Sequence, residues 1–174
     1  MKSLNALAIS IPVTGAIATY LALGPLSGFF LIWAAFAVWG GFFAFGADGA
    51  AFKNIVVCGI FGCVIAWVST LIILNVPLAG ALGLPLWAAI VVNLGVAVAV
   101  LAAKTQLFSA IPCTVFGIAS SYAYLLQTPD VMSTAVLTSA SLENQIILMP
   151  LSIIAGAICG MISGTWGSAM TNEA

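Results

Sequence analysis

From Lys53 to Lys104 the chain runs without a single Asp, Glu, Lys, Arg or His. An uncharged stretch of that length is rare in a water-soluble domain, which carries roughly 25% Asp, Glu, Lys and Arg. The rest of the sequence follows suit. Only Lys2, Asp48, Lys53, Lys104, Asp130, Glu143 and Glu173 are charged, 4% of 174 residues, while 64% are hydrophobic and His and Arg are absent. The intervals between the charges are long enough for helices that cross a hydrocarbon core of ~30 Å, about 20 residues each. The chain therefore reads as an integral membrane protein. Its hydrophobicity is continuous rather than alternating, which selects helices over a closed barrel. The expected fold class is all-α and polytopic, a single transmembrane domain over residues 1–174.

Polar breaks divide the apolar sequence into six expected spans: Leu4 to Leu23, Leu26 to Phe45, Ile55 to Asn75, Pro85 to Ala103, Leu107 to Leu126 and Asn144 to Gly167. With the amino terminus inside, Lys2, Lys53 and Lys104 all fall on the inner side, and Asp130 and Glu143 fall outside. That partition obeys the preference of lysines for cytoplasmic loops. Both termini are expected to be cytoplasmic, with the first apolar run retained as a helix rather than removed as a signal peptide.

No residue set for common catalysis presents itself. The spans contain no His and no carboxylate, so general acids and bases are missing, and no phosphate-binding loop is present. An enzyme is not expected, nor a cofactor. Cys58, Cys63, Cys113 and Cys159 all lie inside spans and read as small hydrophobes rather than as a disulfide or metal set. The remaining classes are permeation, coupled transport through neutral groups, and a structural role.

The stretch "SAIPCTVFGIASSYAYLL", residues 109–126, is the most polar of the spans. Pro112 removes an amide hydrogen, so the helix either starts there, leaving "TQLFSAI" irregular, or kinks. A short echo relates Pro25, Ser27 and Phe29 to Pro112, Thr114 and Phe116, 87 residues on. Three spans separate the copies, suggesting a 3+3 inverted repeat with halves 1–87 and 88–174, an arrangement that places solute paths between repeats. On that basis Ser27, Phe29, Asn93, Thr114, Phe116, Ser120 and Ser121 are the expected lining of a path for a small, mostly neutral solute. The alternatives are a transporter or accessory subunit, or an assembly protein without a path. Gly156, Gly160 and Gly164 recur every four residues and form a close-packing face, within the protomer or between copies of a homo-oligomer.

At this same segment the sequence resembles the YcdZ-like bacterial inner-membrane proteins, which carry a domain of unknown function. The resemblance rests on Ser109, Ile111, Pro112, Thr114, Gly117, Ser121, Tyr122 and Ala123, with weaker similarity at Leu26, Ser27 and the loop ending in Lys53. Cys113 departs from the small residue expected after the proline. The resemblance implies a small multi-span protein of the bacterial inner membrane and no assigned activity.

Overall fold

A helix in hydrocarbon has nothing but itself and its neighbours to satisfy its backbone, so uninterrupted apolar sequence becomes uninterrupted helix. The computed structural model describes residues 2–171 and contains helices but no strand among them. The helices are α1 (Ser3–Leu23), α2 (Ile32–Ala44), α3 (Gly49–Asn75), α4 (Ala79–Leu82), α5 (Leu84–Ala102), α6 (Ile111–Gln127), α7 (Thr134–Leu137) and α8 (Gln145–Ala169), with a 3₁₀ turn over Gln106–Phe108. Four of them, α1, α3, α5 and α8, are long and apolar enough to cross a membrane. The helices in the other two expected spans are shorter: α2 has 13 residues and α6 has 17.

Both shortenings have local causes. The chain from Gly24 to Phe29 is a run of turns, with Gly28 at φ +83°, a conformation that a Cβ disfavours. Hence α2 starts only at Ile32. Before α6, Pro112 occupies the first turn, where its missing amide hydrogen costs nothing, and residues 103–110 stay outside the helix. That irregular piece is pinned to α3. The Cys58 thiol donates to the Leu107 carbonyl at 3.6 Å, and Phe108 stacks on Phe61 at 4.1 Å between ring centroids.

The longest helices, α3 and α8, run antiparallel through the middle, and each starts at a capped end. Asp48 accepts from the Ala51 amide at 2.7 Å, and Asn144 accepts from the Ile146 amide at 3.2 Å. Such a cap contributes ~1 kcal/mol. Around this pair the partners are crossed. Helix α3 packs chiefly on α6, α8 and α5, whereas α8 packs on α2, α3 and α1. Each central helix thus rests on two helices of the opposite half of the chain, α3 on α5 and α6 and α8 on α1 and α2.

Burial follows the same exchange. Ala34, Ala35, Val38, Trp39, Gly41 and Phe42 are buried on α2, and so, 79 positions on, are Cys113, Thr114, Gly117, Ile118, Ser120 and Ser121 of α6. On α3 and α8 the pairs are Ala51 with Leu148, Ile55 with Ser152, Gly59 with Gly156, Cys63 with Gly160, Ala66 with Ser163, and Thr70 with Gly167, each 97 apart. Ala6, Ser10 and Ala18 of α1 correspond to Trp87, Val91 and Ala99 of α5, 81 apart.

Helix directions alternate. Contacts of Gly59 with Ile153 and of Gln145 with Cys63 make α3 antiparallel to α8, and Leu7 meeting Gly167 does the same for α1. Helix α2 runs with α8, from Leu31 beside Ser152 to Phe42 beside Gly160, and α6 runs with α3. Lys2, Lys53 and Lys104 consequently lie at one end of the bundle, and Asp130 and Glu143 at the other. The described residues end at Thr171, so the expected cytoplasmic position of the tail lies outside them.

Candidate functional site

Thr114, Ser120 and Ser121 gather on one side of α6, and that side faces α3. Gly117 meets the Gly59 carbonyl and Gly62 meets the Thr114 carbonyl so closely that neither position has room for a Cβ. Small residues permit such a crossing in a membrane, where close packing and hydrogen bonds replace the hydrophobic effect between helices. Thr114 and Ser121 are fully buried there, and Ser120 nearly so.

Just above this crossing lies a buried polar cluster contributed by three helices. Ser121 Oγ donates to the Gly117 carbonyl at 2.7 Å. Gln145, the first residue of α8 and wholly buried, donates from Nε2 to Ser121 Oγ at 2.6 Å and to the Cys63 carbonyl at 3.3 Å. Two polar atoms along this seam are left over, an amide acceptor and a hydroxyl that can donate or accept. Gln145 Oε1 and Thr114 Oγ1 are buried and have no partner. An orphaned group of this kind costs ~1–3 kcal/mol, so the seam between α3, α6 and α8 carries spare hydrogen-bonding capacity.

The matching seam between α2 and α8 is built differently. Gly156 abuts the Ala35 backbone, and the Phe42 ring lies over Gly160, whose added Cβ would come within 2.7 Å of it. Where the α6 seam has Ser121 and Gln145, this seam has Phe42. Its polar groups are paired: the Leu31 amide donates to Ser152 Oγ at 2.9 Å, and Trp39 Nε1 donates to Ser163 Oγ at 2.9 Å.

Of the residues expected along a path, Thr114, Ser120 and Ser121 come together on α6, and Phe116 lies half-buried near Gly41 of α2. Ser27 and Phe29 are exposed in the turns before α2. Asn93 is exposed on the outer surface of α5, its Nδ2 donating to the Ala89 carbonyl at 2.8 Å. Open grooves run between α3 and α5 and between α1 and α8, lined almost wholly by aliphatic and aromatic side chains, and none of Ser27, Asn93 and Thr114 lines them. Gln145 escaped the sequence reading because it stands at a span's end, where an amide looks solvated. Its signal was its position directly after Asn144, a capping residue, which turns the next side chain back into the bundle. Gly156 and Gly160 pack within the protomer, against α2, and Gly164 lies in looser contact with Phe42 and Phe43.

These features define a class: an apolar, all-helical membrane protein whose two central helices are each clasped by the opposite half of the chain. Residues 8–168 match the family described as "Protein of unknown function (DUF1097)", and the chain belongs to that family. No curated protein and no solved structure matches it.

Proposed function

We propose that the protein is a passive facilitator for a small, mostly neutral solute in the bacterial inner membrane. It is built as a 3+3 inverted repeat of six spans with both termini cytoplasmic. The three registers of matched burial and the opposite directions of the corresponding helices support the repeat. The registers of 81, 79 and 97 replace the 87-residue echo. Pro25 lies in the turns before α2, whereas Pro112 lies in the first turn of α6, so the two prolines are not equivalent. As spans, α2 and α6 are helped across by irregular backbone that the protein itself holds, as the Leu31 amide on Ser152 illustrates.

The observation that carries the reading is two unpartnered polar atoms, the Thr114 hydroxyl and Gln145 Oε1, on a seam between repeats. Solute sites of repeat-built carriers lie on such seams. A solute bearing N–H or O–H groups would pair them, while an ion would find no compensating charge, since the spans lack one. The path would use Thr114, Ser120, Ser121 and Gln145, with Phe116 as an apolar constriction and Ser27 and Phe29 at the outer mouth. The Gly59–Gly117 crossing closes it in this conformation. No bond is made or broken, and no cofactor is needed. In proteoliposomes, light scattering should show uptake of at least one of urea, formamide and glycerol faster than in empty vesicles. Thr114→Val and Gln145→Leu should each slow it severalfold. Uptake equal to empty vesicles for every solute would favour the second reading, an assembly protein without a path, which the backbone contact between α3 and α6 supports.

Orientation has its own test. With every native cysteine replaced, a cysteine at 130 should be labelled by an impermeant reagent from the periplasm and one at 104 only after the membrane is opened. The reverse pattern would invert the topology.

A further inference from the structure

Helix α5 buries the smallest share of its length among the four long apolar helices, and its outer surface carries an amide at mid-membrane. Asn93 is the tenth of the 19 residues of α5. Among the described residues its only hydrogen bond is the one to the Ala89 carbonyl, so Oδ1 and the second amide hydrogen have no partner. Lipid tails offer none either.

The helix that corresponds to α5 in the other half has the complementary deficiency at the same place. Pro12 is the tenth residue of α1, exposed like Asn93. It has no amide hydrogen, so the Ala8 carbonyl, which points along the helix toward it, loses its usual donor. A bare acceptor on α1 thus matches a bare donor on α5. The two lie at one depth, because the helices run in opposite directions and both residues stand at mid-helix. Access is clear on both sides. Ala8 and Ala16 flank Pro12 by one turn, Ala89 and Ala97 flank Asn93, and all four are exposed.

We infer that this protein assembles head to tail, α1 of one copy lying antiparallel against α5 of the next, with the Asn93 amide donating to the Ala8 carbonyl. The occupant of each outer face is a second copy of the chain. A pairing of α5 with α5 would leave the Ala8 carbonyl unsatisfied, and Gly156 and Gly160 are already used inside the protomer. A contact between two different faces is heterologous, and it closes into a ring where the rotation between copies permits. The inference is independent of any solute path.

The test uses the full chain purified in mild detergent with added lipid. Light scattering should give a mass above one protomer. Asn93→Val, and independently Pro12→Ala, which returns a donor to the Ala8 carbonyl, should each raise the dissociation constant about tenfold, with the thermal midpoint held within a degree or two in Asn93→Val and unchanged or raised in Pro12→Ala, since alanine is the better helix former. In a background with the four native cysteines replaced by alanine, a mixture of Ala8→Cys and Ala97→Cys chains should form disulfide-linked dimers, and neither chain alone should. A monomeric wild type, or undiminished association of both variants, would overturn the proposal. So would dimers from Ala97→Cys chains alone, which would mark an α5–α5 contact.

Discussion

Gly117→Leu should unfold most of the protein, or leave it so destabilised that its thermal midpoint in detergent falls by ten degrees or more. The atom that a side chain at Gly117 would strike belongs to the Gly59 main chain. No rotamer change moves a carbonyl, so α6 itself must leave α3, taking with it the Ser121–Gln145 bond and the burial of Cys63 and Cys113. Overpacking alone costs 1–3 kcal/mol, occasionally more, and here the most extensive interhelical contact is the one displaced. Gly40, which has nothing within 4 Å of an added Cβ, is the control. Gly40→Ala should be neutral or slightly stabilising, because alanine is the better helix former. A wild-type midpoint for Gly117→Leu would mean that α3 and α6 do not cross at these glycines.

On the other seam the expected loss comes from deletion. Phe42 is 1% exposed and sits in the core, with its ring over Gly160 and edge-on to Phe43. Phe42→Ala should cost about 3–5 kcal/mol, the range for emptying a buried aromatic site. Gly160→Leu alone should also destabilise, since its side chain would meet the ring. The double change should recover part of the loss, because leucine would refill the space that the ring vacates. Additive losses in the double variant, read by thermal unfolding with each protein in the same detergent, would place Gly160 away from Phe42.

The helical character of the chain was legible in the sequence, because long apolar intervals without alternation leave a buried backbone few other ways to pair. The late start of α6 was legible too. Pro112 allowed either a delayed start or a kink, and the first-turn position is the one found. The late start of α2 was not. "LSGFFLI" is as apolar as its continuation, and nothing but the φ of Gly28 separates turn from helix there. The relation between the halves was hidden for a different reason. The segment joining α6 to α8 is longer than the one joining α2 to α3, so the register changes from 79 to 97 within one half, and a single offset cannot find it. Burial periodicity is what remains when side-chain identity has diverged: Gly59 and Gly156 still match, whereas Cys63 corresponds to Gly160 and Ser121 to Phe42. On the candidate site, Thr114, Ser120 and Ser121 were visible as hydroxyls in an apolar run. Gln145 was not, because its burial depends on the turn made by Asn144, whose Nδ2 donates to the Leu137 and Ser139 carbonyls.

The crossed packing of α3 and α8 also has a consequence for how the protein is made. A ribosome delivers α1, α2 and α3 to the bilayer while the surfaces that will cover α3 are still untranslated. Until α6 emerges, Gly59, Gly62 and Cys63 face acyl chains instead of another backbone. The amino-terminal half therefore has no finished native core to wait in, and α2 lacks its chief partner until α8 arrives last. Insertion thus runs ahead of packing: α3 can close on α5 and α6 as soon as they are made, while α1 and α2 wait for α8.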